Sequence, residues 1–190
     1  MAQIPYPKTR GIALSAVFAA LLSISAQVSI PITPISPVPI TLQVFVVFLT
    51  ATIIGPRYGA ISCLLYLLMG VIGLPVFAGA TGGVQVLAGP NGGYLFSFPA
   101  AVFIGGFLCR GSKPGRFNMV RISFAFAVML VVIYAVGVAW LSEVYLHGNF
   151  GDGILLGAIP FIPLDIAKGV LAVPIASRIK RSNLVLPSSP

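Results

Sequence analysis

The sequence predicts an all-α integral membrane protein of six transmembrane helices, with the N-terminus and the C-terminus both cytoplasmic. Three observations carry this expectation. Hydrophobic residues make up 58% of the 190 and charged residues only 7%, far from the roughly 25% charge of a soluble domain. The apolar residues come in successive runs, separated by short segments rich in Pro, Gly or basic side chains, and at about 20 residues per span the chain has room for about six. Lys and Arg also alternate between connections: Lys8 and Arg10 precede the first run, Arg57 follows the second, Arg110, Lys113, Arg116 and Arg121 follow the fourth, and Arg178, Lys180 and Arg181 follow the sixth. The positive-inside bias assigns those segments to the cytoplasm. The whole of 1–190 is thus expected to form a single membrane domain, multi-pass in the cell (cytoplasmic or inner) membrane. Its net charge of +8 belongs against membrane lipid, since binding to nucleic acid needs a basic face on a soluble surface.

The first run, 11–30, is too long for a usual signal-peptide core and lacks a convincing small-x-small cleavage site, so it reads as a span. Along it Gly11, Ser15, Ala19 and Ser23 recur every four residues, with Ala16 and Ala20 beside them. Small residues at that spacing let another helix approach closely in lipid. The partner is either a neighbouring helix of the same chain or a different protein. Pro31, Pro34, Pro37 and Pro39 then force a stiff extended loop or lid.

The second span covers about 41–54, with Gln43 near its outer start, and Gly55-Pro56-Arg57 ends it. The third covers about 58–72. Residues 73–93 hold so many glycines, with Pro75 and Pro90 among them, that they cannot form a simple span. Non-helical backbone at membrane depth is tolerated only where protein or a water-filled cavity satisfies it, so this segment is expected to line a site; an external loop is the competing reading. The fourth span covers about 94–108 and the fifth about 122–141, with Trp140 and Tyr145 placed for an aromatic belt. Cys63 and Cys109 have neither metal-ligand nor disulfide spacing and read as packing residues, and no metal site is expected. His147, alone in a polar link with Glu143 and Asp152, reads as solvated.

The sixth run, 154–179, differs from all the others because Asp165 and Lys168 lie inside it. A charge at the bilayer centre costs about 2.5–3.5 kcal/mol on insertion scales, which makes an intramembrane acid and base a functional candidate by default. At i and i+3 they share one helix face, just inward of Pro160 and Pro163, which loosen the backbone. A purely structural ion pair competes with this reading, although an apolar pair would pack without the desolvation cost. Counted from Ile179 at about 1.5 Å per residue, Asp165 lies about 21 Å from the cytoplasmic end, so a pocket around it should open outward.

Three outward connections and one polar helix face converge there, as capture of a small molecule from outside requires. No enzyme is expected: there is no Ser-His-Asp set, and of three acidic residues only Asp165 lies in a span. Nor is there a Gly-x-x-x-x-Gly-Lys-Ser/Thr loop for ATP, so energy must come from an ion gradient or a partner. A self-sufficient or proton-coupled facilitator using Asp165 is the alternative, weakened by the absence of paired repeats.

The order Gly73-Leu74-Pro75-Val76-Phe77-Ala78-Gly79, then Gly82-Gly83, then Gly89-Pro90-Asn91-Gly92-Gly93-Tyr94-Leu95, then Asp165-x-x-Lys168 resembles the BioY family over most of the chain. Members are the biotin-binding substrate (S) components of energy-coupling factor (ECF) transporters. The resemblance implies six helices, capture of biotin from outside, and transport when docked on a transmembrane coupling protein that carries two cytoplasmic ATPases. Biotin is then a ligand, and no cofactor is expected.

The resemblance also implies the residue roles. The binding set falls on Asp165, Lys168, Asn91 and Tyr94, with Gln43 and Phe77 added, and the docking face on Ser15, Ala16, Ala19, Ala20 and Ser23. Relatives commonly carry Thr where Asn91 stands, so a short polar group persists there. For the biotin carboxylate, backbone N–H groups at the start of the fourth span, Lys168 and water remain open.

Overall fold

The structure, a computed structural model, describes residues 8–110 and 116–181. Lys113 of the basic cluster lies outside them. The helix α1 (Lys8–Gln27) leads into a short antiparallel ribbon, β1 (Ser29–Ile30) with β2 (Ile40–Thr41), in register Ser29 to Thr41 and Ile30 to Ile40. The proline-rich segment between the two strands is the loop the ribbon closes. Helices α2 (Gln43–Ile53) and α3 (Gly55–Val71) follow, and the turn between them passes through Gly55 at φ +77°, with Pro56 in the first turn of α3. The glycine-rich segment contains a five-residue helix, α4 (Val84–Ala88), that sequence periodicity could not pick out. Then come α5 (Gly92–Leu108), the long α6 (Arg116–Val144), α7 (Phe150–Gly157) and α8 (Ile162–Arg181).

Helix α5 is the hub, packed against α6, α3 and α2, while α1 lies on α3 and α8 on α2 and α6. Close approach explains the glycines of α5. A Cβ on Gly106 would lie 2.7 Å from the Pro56 nitrogen at the α2–α3 turn, and one on Gly105 would run into Met129 of α6. The core is apolar and continuous across these helices. Phe48 stacks on Phe126 with centroids 4.5 Å apart, and Val47, Tyr66, Val102 and Ile133 are fully enclosed around them. Cys63 and Cys109 are buried in it and form no disulfide.

Several expectations change. By length and composition, two helices among the described residues are long and apolar enough to cross a membrane, α1 over Thr9–Gln27 and α6 over Met119–Val144. A third is reached only if α7 and α8 count as one broken span. Helix α2, at 11 residues, covers about 17 Å of a hydrocarbon core about 30 Å thick. The sixth span is not one helix: α7 and α8 meet at 48°, because Pro160 in the link and Pro163 in the first turn of α8 each lack the N–H a continuous helix would use.

The small-residue stripe on α1 divides. Ser15 and Ala19 are buried, with Ser15 Oγ donating to the Tyr58 carbonyl at 2.9 Å, and a Cβ on Gly11 would enter the Tyr58 ring. Ser23 is half-buried, its hydroxyl donating to the Ala19 carbonyl at 2.9 Å. Gly11, Ser15 and Ala19 therefore serve helix packing inside the chain, where Ser15 and Ala19 are closed to a partner, and of the expected docking residues only Ala16 and Ala20 are exposed.

Candidate functional site

The helix ends that carry charge and those that carry the ribbon lie apart. Arg57 starts α3, Arg110 follows α5, and Arg121 and Arg178 lie near the corresponding ends of α6 and α8. At the other ends, the ribbon, the start of α2, the glycine-rich segment, the start of α5 and the start of α8 surround a cavity that Ile133 and Tyr134 of α6 also line.

All six expected binding residues line it: Gln43, Phe77, Asn91, Tyr94, Asp165 and Lys168. Asp165 stands in the first turn of α8 and is 4% exposed. Its Oδ1 accepts from Lys168 Nζ at 2.6 Å, and its Oδ2 accepts from the Tyr134 hydroxyl at 2.7 Å. Lys168 Nζ also donates to the Thr41 carbonyl on β2 at 2.6 Å. The ion pair therefore ties α8 to α6 on one side and to the ribbon on the other. Each carboxylate oxygen keeps a free lone-pair direction, and the ammonium has spent two of its three N–H groups.

Gln43, buried at the start of α2, donates from Nε2 to the Tyr66 hydroxyl at 2.8 Å and accepts at Oε1 from the Thr41 hydroxyl at 3.2 Å. Phe77 is 1% exposed and meets Tyr66 edge-on at 5.4 Å. Gly70 makes room for it, since a Cβ there would enter the Phe77 ring. Tyr94 lies in a slot over Gly137, edge-on to Tyr134 at 6.5 Å, and its hydroxyl donates to the Gly157 carbonyl at 2.7 Å. That bond satisfies a carbonyl freed by the α7–α8 break, so Tyr94 offers the cavity its ring.

Asn91 stands apart from the other polar groups. Its Oδ1 is buried and no hydrogen-bond donor reaches it, although buried acceptors are almost always satisfied. The turn that holds it is fixed by Trp140, whose Nε1 donates to the Gly89 carbonyl at 2.9 Å and whose side chain fills the space a Cβ on Gly93 would take. Half-buried Trp140 is thus a brace for the glycine-rich segment.

Sequence reasoning missed Tyr134, Thr41 and Tyr66. Tyr134 left a signal: a phenol in the middle of an oily run needs a partner for its hydroxyl. Thr41 meets Lys168 through its backbone carbonyl, which no residue type announces.

The fold and cavity define a helical membrane protein that encloses a polar-floored, apolar-walled chamber near one set of helix ends. The profile of the BioY family matches residues 1–184. A probable biotin transporter BioY of Pyrococcus horikoshii is 41% identical over 174 residues, covering 91% of this chain and 98% of that protein. The biotin transporter BioY of Thermotoga maritima is 41% identical over 170 residues, covering 87% and 92%. A crystal structure of the S-component for biotin from an ECF-type ABC transporter superposes with a TM-score of 0.81 at 29% identity, covering 95% of each chain. The chain belongs to the BioY family.

Proposed function

We propose that this protein takes up biotin, binding it from outside the cell as the substrate-specific component of an ECF-type transporter. It acts in the cytoplasmic membrane with a transmembrane coupling protein and two ATPases that supply the energy. Residues 1–190 form one membrane domain crossing six times, with α7 and α8 together as the sixth crossing and both termini in the cytoplasm. The separation of the basic helix ends from the cavity supports that orientation, because the positive-inside bias then turns the cavity outward.

The observation that carries the ligand reading is the unmatched hydrogen-bond capacity of the cavity. Asn91 Oδ1 has no donor, Asp165 retains acceptor directions, and Lys168 and Gln43 each retain an N–H. Biotin's ureido ring offers two N–H donors and one carbonyl acceptor on a flat apolar bicycle. Asn91 and Asp165 take the N–H groups, Lys168 or Gln43 gives to the carbonyl, and Phe77 and Tyr94 cover the bicycle. No chemical step is assigned to the chain.

Calorimetric titration of biotin into the purified protein tests this. Asp165→Asn exchanges an acceptor-only group for an amide and strands Lys168, removing charge-assisted bonds worth about 1.5–3 kcal/mol, or roughly ten- to a hundred-fold in affinity. Lys168→Met should weaken binding comparably. The double variant is expected to fold, as judged by melting, and still bind poorly. Near-normal affinity in the double variant would reduce the pair to a structural role.

A further inference from the structure

The last side chain of α1 reaches out of its helix. Gln27 spans the loop after α3: its Nε2, also 3.3 Å from the Ser23 carbonyl one turn back in α1, donates to the Phe77 carbonyl at 3.1 Å and the Pro75 carbonyl at 3.4 Å, and its Oε1 accepts the Ala80 N–H at 2.9 Å. The tip of the loop it holds has an unusual backbone. Gly79 and Ala80 are at φ +71° and +55°, and alanine adopts that region only where surroundings fix it. Within the loop the bridge of Phe77 with Thr81 and a bond from the Thr81 hydroxyl to the Ala78 carbonyl at 3.0 Å close the turn, and no backbone bond inside it reaches the Gly79 or Ala80 N–H among the described residues. The loop carries Phe77, whose ring is a wall of the cavity and meets Tyr66, the acceptor for Gln43.

The backbone beyond Gln27 holds the other cover. The Val28 carbonyl accepts the Leu42 N–H at 3.1 Å, and Ser29–Ile30 pairs with the strand whose Thr41 carbonyl receives Lys168. Both segments that close the cavity are therefore fastened to the same end of α1.

We infer that Gln27 is a positioning residue for the ligand, a latch that holds the Pro75–Ala80 loop and its Phe77 ring over the cavity and so sets how fast ligand leaves. Gln27 is itself exposed, so water competes for each of its bonds, as suits a contact that opens repeatedly. A tilt of α1, whose exposed face carries Ala16 and Ala20, would pull directly on the latch.

The choice of biotin as probe rests on the function proposed above. Protein loaded with radiolabelled biotin is chased with unlabelled biotin, and dissociation is compared among wild type, Gln27→Met and Gln27→Glu, with melts of the ligand-free proteins. Gln27→Met keeps the length and loses the three bonds to the loop, along with the one to the Ser23 carbonyl; it should release biotin on the order of ten-fold faster, with little change in melting. Gln27→Glu keeps the acceptor for Ala80 but sets a carboxylate against two carbonyls, and it should be at least as fast. Wild-type dissociation in both variants would overturn the latch. Amide exchange at residues 76–80 needs no ligand and gives an independent reading: faster exchange in both variants is expected, and unchanged exchange contradicts the inference. Wild type that fails to hold biotin while the loop still exchanges faster in the variants would count against the ligand and in favour of the latch.

Discussion

At the scale of single residues, Asn91 is the sharpest feature of the cavity because it is unsatisfied without ligand. A buried acceptor with no donor costs about 1–3 kcal/mol, and Asn91 makes no side-chain cap bond to α5 to offset that cost. Asn91→Ala should therefore leave the melting temperature of the ligand-free protein unchanged or higher while weakening biotin about ten-fold. Thermal melts paired with calorimetry check this, and a lower melting temperature with unchanged affinity would make Asn91 structural. The residues legible in the sequence were those out of place by type. Asp165 and Lys168 are charges in an oily run, and Asn91 a polar group in a glycine-rich one. Tyr134 passes for apolar filler until its hydroxyl is seen 2.7 Å from Asp165, and Gln27 passes for an ordinary polar residue at a span end.

At the scale of elements, the sequence showed where helices exist better than where they break. Pro160 and Pro163 were visible, but whether prolines bend a span or divide it depends on partners for the freed carbonyls. Here the Tyr94 hydroxyl, 63 residues away, supplies one at Gly157. The short helix α4 was hidden by the glycines around it. The stripe on α1 was legible as a surface of small residues, but spacing every four residues cannot say which of two adjacent rows faces inward. The structure buries the Ser15–Ala19 row and exposes Ala16 and Ala20. A coupling protein would then meet the exposed row. Ala16→Trp should abolish ATP-driven uptake in the assembled transporter while biotin binding by the isolated protein stays near wild type. Ala19→Trp overfills the core instead and should lower stability by about 1–3 kcal/mol or more. Loss of binding by isolated Ala16→Trp would remove the exposed row as a docking face.

At the scale of the whole molecule, the alternation of basic connections and the placement of the cavity both support the proposed orientation. Cysteines introduced at Ile35 and Ala88, both exposed, on a background without Cys63 and Cys109, should react with an impermeant thiol reagent in intact cells. One at Ser112, which lies outside the described residues, should react only after lysis. Labelling at Ser112 in intact cells would invert the topology and close the cavity to the outside. Fold class was legible at this scale because composition and charge placement are properties of the bilayer as solvent. The cavity was less so, because it is assembled from the ribbon, loops and five helices, α2, α4, α5, α6 and α8, that meet only in the folded chain. The most direct measurement of the central claim is biotin accumulation in liposomes that hold this protein alone, or with the coupling protein and both ATPases. Accumulation is expected only in the complete assembly and only with ATP, with the protein alone binding biotin without passing it. Uptake by the protein alone, driven by the biotin gradient or by a proton gradient, would contradict the account and make Asp165 part of a self-sufficient carrier.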